Sequence, residues 1–187
     1  MIEQESIDTT LPITDNVVIE TYDTQSIEGW DDYSHNQKVY RLQSLSCDER
    51  ITAHNTLTDD YLDVLIEQLS PDPQHDDTLV TATHTAIGDG GEDDIDRSSS
   101  ELTNEVFRRE IDDSTTNDRE LATATLIEAG EAVGEHITEV GLVDEGEELL
   151  INHTTIEDDG EILQPKENEY AALIKVDIRM RDISEVA

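Results

Sequence analysis

The chain has 187 residues, and its 47 Asp and Glu against 11 Lys and Arg give a formal net charge of −36. This charge excludes nucleic acid as a partner, because a phosphate backbone is bound by clustered Lys and Arg. The same field repels anionic lipid, and no apolar run approaches the roughly 18 residues of a membrane-spanning helix. The start MIEQESIDTT has neither a basic nor an apolar region, so we expect neither a signal peptide nor a membrane partner.

The acidic residues are spread along the whole chain rather than gathered in a tail. Residues 1–77 contain 18 acidic and 3 basic side chains, and residues 78–187 contain 29 and 8. An even acidic coat over segments with apolar periodicity indicates a folded protein rather than a disordered one. The chain also has only three lysines against eight arginines. This composition resembles that of proteins from extreme halophiles, so we expect a hypersaline source.

The N-terminal quarter has the weakest apolar pattern. Residues 17–19 and 39–42 are short strand candidates, but no core of their own is evident. We therefore predict that residues 1–56 form an extended arm that orders on contact with a partner. Four of the seven aromatic residues lie there and are the candidate partner contacts, namely Tyr22, Trp30, Tyr33 and Tyr40.

Residues 58–69 carry the clearest helical pattern. Apolar side chains recur at i, i+3, i+4 and i+7, with Thr58 as the N-cap and Pro71 and Pro73 beyond the end. The periodic residues are Leu62, Leu65, Ile66 and Leu69.

A strand at residues 79–87 and a second helix are predicted next. The strand ends in the turn Gly88-Asp89-Gly90-Gly91. We expect the glycines of this turn, and Gly141 further along the chain, to adopt backbone conformations with φ > 0. The helix is predicted from Ser98 to Arg109, because Ser98 and Glu101 have capping-box spacing and Leu102 and Val106 form an apolar stripe.

The remainder of the chain predicts antiparallel sheet. Residues 121–127 form a strand, residues 137–143 lead into 149–151 as a hairpin, and residues 170–180 alternate strictly, which predicts one buried face. The expected fold is therefore α+β and mainly β, an antiparallel sheet or sandwich with two short helices and the N-terminal arm. We expect residues 57–187 to be the folded domain, so that a chain beginning near Thr56 folds on its own.

Motifs of catalytic and cofactor sites are missing from the sequence. It has no nucleophile elbow, phosphate-binding loop or zinc helix, and its histidines lack paired spacing, so we expect no enzyme activity, cofactor or metal centre. Asp93, Asp94 and Asp96 crowd one loop but miss the calcium-loop spacing, and cation binding there is left open. Cys47 is the only cysteine, which excludes an intrachain disulfide.

An ordered set of segments resembles the phage tail-collar fibre family. It comprises a strand ending in G-D-G, a segment L-x-N-E-V-x-R over residues 102–108, and E-V-G-L-V-D over residues 139–144 with a leucine pair after its turn. The positions that carry the match are Gly88, Asp89, Gly90, Leu102, Glu105, Arg108, Glu139, Gly141, Leu142 and Asp144. The resemblance covers about residues 57–181.

The resemblance implies that residues 57–187 are an anchor domain of a virion structural protein, attaching fibres to the tail tip or baseplate. With the acidic coat, it implies a tailed virus of haloarchaea, assembled in the host cytoplasm. The implied partners are other tail or baseplate proteins and further copies of the chain, with a trimer expected. Because Ala187 follows directly after the anchor-like strand, we expect an adaptor or baseplate component rather than a complete fibre.

Two alternatives stand beside this interpretation. The same module would suit a capsid turret or a head-decoration protein. A protein of another class, a cytoplasmic halophilic ligand-binding domain or enzyme, would show a concave pocket with a few convergent polar groups.

The charge leads to a prediction about salt. Molar salt should keep the protein folded, because screening shortens the reach of the repulsion between surface carboxylates to about 3 Å. Transfer to about 0.05 M salt, where that reach exceeds about 10 Å, should abolish the circular-dichroism signal of the sheet. Equal thermal stability under the two conditions would contradict the prediction.

Overall fold

The computed structural model describes residues 13–68, 80–90, 97–117, 120–144, 146, 149–156 and 168–180. This part of the chain forms an α+β fold that is mainly β and wholly antiparallel, as the sequence predicts. In chain order its elements are β1 (Ile13–Asp23), α1 (His35–Leu42), β2 (Glu49–Leu57), α2 (Asp59–Gln68), β3 (Ala82–Gly88), β4 (Glu105–Glu110), β5 (Asp113–Asn117), β6 (Glu120–Ile127), β7 (Glu139–Asp144), β8 (Leu150–Thr155) and β9 (Tyr170–Met180).

The nine strands form a sheet that is folded into a sandwich. They are hydrogen-bonded in the order β4-β3-β7-β8-β2-β1-β9-β6-β5. Strand β2 joins the two halves, since it pairs with β1 over most of its length and with β8 through Thr56 and Leu57. The halves face each other, and the hydroxyls of Thr85 on β3 and Thr125 on β6 are hydrogen-bonded at 2.7 Å. Both halves contribute to one core, including Ile19, Ile87, Val140 and Ile174.

Strand β9 lies near the middle of this order. From Ile174 to Ile178 every second side chain is buried in the core and those between are partly exposed, which confirms the predicted alternation there. Towards its start the strand is buried on both faces, because Ala171 and Leu173 are fully covered as well. They belong to a second apolar cluster, with Tyr22, Trp30, Val39 and Leu42 among its members.

The prediction of an N-terminal arm is wrong for residues 13–56, and residues 1–12 lie outside the described part. Strand β1 pairs with β2 on one side and β9 on the other. The segment 39–42, expected as a strand, belongs to helix α1, which begins with the Ser34 amide donating to Oε1 of Gln37 at 2.9 Å. The apolar alternation of β1 is interrupted by Glu20 and Thr21, which are buried although they are polar. This interruption is why the pattern looks weak.

Helix α1 is fixed to the sheet by a cluster of charged groups. The ring nitrogens of His35 lie 2.5 Å from Oε1 of Glu128 and 2.6 Å from Oδ1 of Asp112, and Lys38 Nζ donates to Oε2 of Glu128 at 2.6 Å. Burial alone would raise the pKa of Glu128, but the hydrogen bonds from His35 and Lys38 outweigh it and lower this pKa. Arg109 Nη2 also approaches His35, at 3.3 Å. These contacts tie the N-terminal quarter to the loops after β4 and β6.

Several predicted elements are confirmed. Helix α2 begins at its predicted N-cap, where the Tyr61 amide donates to Oγ1 of Thr58 at 3.3 Å, while Leu69 and the two prolines lie outside the described residues. The hairpin of β7 and β8 and the strands β3, β6 and β9 are present as well. No helix within the described ranges is long and apolar enough to span a membrane.

The predicted second helix is wrong. Residues 97–104 form turns and irregular backbone, and strand β4 begins at Glu105. The amides of Thr103 and Asn104 donate to the carboxylate of Glu139, so they are not available for a helical hydrogen-bond pattern. Leu102 is buried against β7 and β8 rather than forming a stripe with Val106.

The position of β1 predicts the outcome of a truncation. A chain that begins at Thr56 lacks β1 and nearly all of β2, and so leaves the core open along β9. We expect it to lose the cooperative thermal transition and the sheet signal in circular dichroism, even in molar salt. As a control, the full chain with Tyr40→Ala, a change at a side chain 78% exposed, should unfold like the wild type. A truncated chain that melts cooperatively would show that residues 57–187 fold alone.

Candidate functional site

The three segments that resemble the tail-collar family meet at one end of the sheet half formed by β4, β3, β7 and β8. Gly88 at the end of β3 pairs with Glu139 at the start of β7 and with Glu105 at the start of β4. Asp89 accepts a hydrogen bond from the side chain of Asn104, and its amide donates to the Asn104 carbonyl at 3.1 Å. We call Gly88, Asp89, Asn104, Glu105 and Glu139 the motif cluster.

The carboxylate of Glu139 is the centre of the motif cluster and is fully buried. Oε1 accepts from the Thr103 amide at 3.1 Å, and Oε2 accepts from the Asn104 amide at 3.2 Å. Nε2 of His153 on β8 lies 3.1 Å from Oε1, with only 4% of the histidine side chain exposed. One side chain therefore holds the loop before β4 against both β7 and β8.

The hydrogen bonds to Glu139 decide its charge state. Burial alone would raise its pKa, but the hydrogen bonds from Thr103 and Asn104 and the proximity of His153 outweigh burial and lower it. The carboxylate is thus ionised inside the protein. A buried ionised carboxylate with several donors serves to fix local structure, and removing it leaves those donors without a partner.

The motif glycines are required for close packing. The described glycines with positive φ are Gly29, Gly130 and Gly134, so the prediction of φ > 0 at Gly88, Gly90 and Gly141 is wrong. A Cβ on Gly88 would lie 2.7 Å from the carbonyl oxygen of Asn104, and one on Gly141 would lie 2.8 Å from the carbonyl oxygen of Asn152. Both distances are too short for any side chain, and Gly91 lies outside the described residues.

The other motif positions have separate structural roles. Arg108 forms a bidentate ion pair with Glu105, through Nε at 2.9 Å and Nη2 at 2.6 Å. Leu142 points into the main core, and Asp144 closes the β7–β8 hairpin by accepting from the Leu149 amide at 2.9 Å. Leu102 packs on the outer face of β7, against Val143.

A groove of about 490 Å³ runs beside these residues, and Leu102, Glu105 and Arg108 are part of its lining.

The predicted partner contacts are mostly inside the protein. Tyr22 is buried and its hydroxyl donates to Oε2 of Glu20 at 2.9 Å. Trp30 is buried too, with Nζ of Lys38 5.1 Å from the centre of its ring. Tyr33 is half-buried, and Tyr40 alone of the four is largely exposed. The hypothesis of an aromatic contact surface is wrong for Tyr22 and Trp30, because they build the second apolar cluster.

Sequence reasoning missed His153, Thr103 and Asn104 as partners of Glu139. His153 comes opposite Gly141 through the register of β7 and β8, and no sequence motif marks such a pairing. Three polar atoms on β8 lie buried without a hydrogen-bond partner, namely Nδ2 of Asn152, Nδ1 of His153 and Oγ1 of Thr154. They lie on the strand that borders the motif cluster.

Metal ligands do not gather in the described part of the chain. Within the described ranges no group of three or more His, Cys, Asp or Glu is placed to hold a metal ion. Asp93, Asp94 and Asp96 lie outside those ranges.

Comparison with known proteins gives no match: neither a family model, nor a curated protein, nor a solved structure is significantly similar to this chain. The resemblance to the tail-collar fibre family therefore stands on the motif residues alone.

The Glu139 carboxylate predicts a specific pH dependence. Because its pKa is lower in the folded protein than in the unfolded chain, its stabilisation is present at neutral pH and is lost on acidification through the folded pKa. Glu139→Gln places an amide NH₂ against backbone N–H groups and should lower the free energy of unfolding at pH 7 by about 2–4 kcal/mol.

Thermal unfolding in molar salt measures this effect. The stability difference between wild type and Glu139→Gln should shrink as the pH is lowered below 4.5, the ordinary pKa of a glutamate, because the wild type then loses its carboxylate. Glu28→Gln removes the same charge at an exposed position and should change stability little at any pH. A difference for Glu139→Gln that does not change with pH would contradict the assignment of an ionised carboxylate.

Proposed function

We propose that the protein is a structural component of the tail of a haloarchaeal tailed virus, an adaptor or a baseplate or fibre anchor of the tail-collar fibre type. The observation that carries this proposal is the convergence of the motif residues. Residues separated by up to about fifty positions along the chain, from Gly88 to Glu139, meet around one buried carboxylate. A set of residues that must fit together supports the interpretation that the three motifs belong to one module.

The hydrogen bonds that hold three of the carboxylates favour a structural role over a catalytic one. Among the described carboxylates, Glu20, Glu128 and Glu139 have lowered pKa values, each because protein groups donate hydrogen bonds to them against the effect of burial. Glu20, for example, accepts from Nζ of Lys175 at 2.6 Å and from the Tyr22 hydroxyl. Carboxylates held in this way fix neighbouring strands and helices, which suits a protein that must transmit position rather than transform a substrate.

The composition supports the hypersaline setting. A chain of 20.9 kDa with a net charge of −36 has strong self-repulsion at low salt, and an assembly of several copies multiplies it. Concentrated salt screens this repulsion, so virion assembly from such chains is favoured in a hypersaline cytoplasm.

Localisation in the particle tests the proposal directly. Virions purified in molar salt would be labelled with gold-conjugated antibody against this protein and imaged by electron microscopy. Label at the tail tip or baseplate is the expected result. Label on the head would replace the proposal with a capsid turret or head-decoration role, and absence from the particles would overturn a virion function.

Tyr40 on α1 is the candidate contact with a tail partner. It is 78% exposed, and a large exposed aromatic is the kind of side chain that anchors protein interfaces. We expect Tyr40→Ala to keep the fold but to weaken binding to tail particles about tenfold or more. Ile66→Ala, which shortens a 67% exposed side chain on α2, is the matched control and should bind normally.

The measurement is the number of copies per particle, by quantitative mass spectrometry, after supplying each variant to infected cells that lack the wild-type protein. Equal incorporation of Tyr40→Ala and Ile66→Ala would remove Tyr40 from the proposed interface.

A further inference from the structure

Helix α1 lies in the longest stretch of the chain that has no acidic residue. Residues 33–47 contain no Asp or Glu, although 47 of the 187 residues of the chain are acidic. Much of this stretch lies at the surface. In α1 and the two residues after it, the exposed side chains are Asn36, Gln37, Tyr40, Arg41, Gln43 and Ser44, which we call the acid-free face.

Helix α2 has the opposite surface composition. Its exposed positions include Asp59, Asp60 and Asp63. Surfaces that bind other proteins are depleted in Asp and Glu at their centre and enriched in aromatic residues and Arg. The acid-free face has this composition, whereas α2 has the acidic surface that is typical of the rest of the chain.

The guanidinium of Arg41 has no interaction partner among the described residues. Every other described Lys or Arg side chain has one; Lys38 pairs with Glu128, for example. An unpaired guanidinium is unexpected in a chain in which acidic residues outnumber basic ones by 47 to 11. Arg41 is exposed beside Tyr40, and Tyr and Arg are among the residue types that most often anchor interfaces.

The acid-free face is formed before any partner binds. On the opposite side of α1, Val39 and Leu42 are buried in the second apolar cluster, and His35 and Lys38 are held by the carboxylate of Glu128. The helix is therefore fixed to the sheet, and docking on it requires little further ordering of the backbone.

A carboxylate of another protein is the group that fits Arg41. A guanidinium binds a carboxylate through two parallel hydrogen bonds, which makes this pair both strong and directional. The acid-free face of a second copy does not supply that group, because it contains no Asp or Glu. The charge on Arg41 therefore favours a different, acidic protein.

Concentrated salt permits an acidic partner to approach. Acidic side chains flank the acid-free face in sequence, with Asp31 and Asp32 before α1 and Asp48 and Glu49 after it. In molar salt their repulsion is screened beyond about 3 Å, whereas an ion pair that is shielded from water at the contact is screened much less.

We propose that the acid-free face is the docking surface for an acidic partner protein, with Arg41 paired to a carboxylate of that partner and Tyr40 packed beside the pair. The identification of the partner as a tail protein rests on the proposed function. The docking through Arg41 does not depend on it.

Incorporation into tail particles tests the role of Arg41. Arg41→Gln should weaken binding about tenfold or more, because the carboxylate of the partner loses both hydrogen bonds and the opposite charge. Arg97→Gln removes the same charge at an exposed residue and should bind normally. The copies per particle are counted by quantitative mass spectrometry, after each variant is supplied to infected cells that lack the wild-type protein.

Arg41→Lys separates docking from a local effect on the helix. Arg41 lies in the last turn of α1, where a cation interacts favourably with the helix dipole. Lysine keeps this interaction but cannot form the bidentate pair. Arg41→Lys should therefore melt like the wild type in molar salt and still bind about threefold more weakly or worse. Normal binding of Arg41→Lys would contradict the bidentate pair.

Photo-cross-linking identifies the carboxylate without relying on particles. A benzophenone amino acid in place of Tyr40 should cross-link, in infected cells, to a segment of another protein that contains Asp or Glu. Adding Arg41→Glu should abolish this product, and changing the acidic residue of the partner to Arg should restore it. The same benzophenone in place of Ile66 on α2 is the control and should not give the product.

The inference and the proposed function fail in different ways. Label at the tail together with equal incorporation of Arg41→Gln and Arg97→Gln would overturn docking through the acid-free face and leave the tail function. A charge exchange that restores cross-linking to a protein outside the virion would support the docking and contradict the tail function. A cross-link to a second copy of this chain alone, or none, would overturn the acidic partner.

Discussion

The pairing of β9 with both β1 and β6 is the interaction on which the rest of the structure depends. Strand β9 is hydrogen-bonded along its whole length to β1 and along most of its length to β6. It thereby joins the N-terminal quarter, the middle and the C-terminal part of the described chain into one sheet. The core of the sandwich and the second apolar cluster lie on the two faces of these strands. Elements that look independent in sequence are consequently parts of one cooperative unit.

The strong negative charge constrains where side chains can be placed. Almost all described carboxylates lie at the surface, and the two that are buried, Glu20 and Glu139, are held by specific donors. Each connects segments that are far apart in sequence: Glu20 on β1 with Lys175 on β9, and Glu139 on β7 with the loop before β4. In this way the protein uses a few buried carboxylates to fix its architecture and leaves the remainder to interact with water and salt. This use of buried carboxylates to fix the fold supports the proposed structural role in an assembly.

The sequence predicts those elements whose apolar pattern matches their burial. Helix α2 and the hairpin of β7 and β8 follow from periodicity and turn residues. The helix predicted at residues 98–109 is wrong because the apolar spacing fits a helix but the Asn104 amide donates to a carboxylate 35 residues away in sequence. The sequence did not predict β1 as a central strand because Glu20 and Thr21 are polar. In the fold both are buried, and Glu20 accepts a hydrogen bond from Lys175. Interactions of this kind depend on register and tertiary pairing, which a single sequence does not encode in any local pattern.

The motif cluster also combines features that the sequence predicts with features that depend on tertiary pairing. The resemblance to the tail-collar family identifies the members of the cluster from sequence. Only the structure explains why each position holds the residue type that it does. Gly88 and Gly141 are glycines because neighbouring atoms occupy the space of a Cβ, and His153 reaches Glu139 only through strand pairing. The proposed tail function rests on the cluster as a unit, and the cluster in turn requires the sandwich to be complete.

Residue-resolved amide hydrogen exchange in molar salt tests most directly whether the chain is one cooperative sandwich. If it is, the slowest amides of β1 exchange by the same global opening as those of β7 and β9, and so share one free energy of exchange. Exchange of the β1 amides orders of magnitude faster than that of β7 and β9 would contradict the account, because residues 13–57 would then behave as an arm attached to a separate domain.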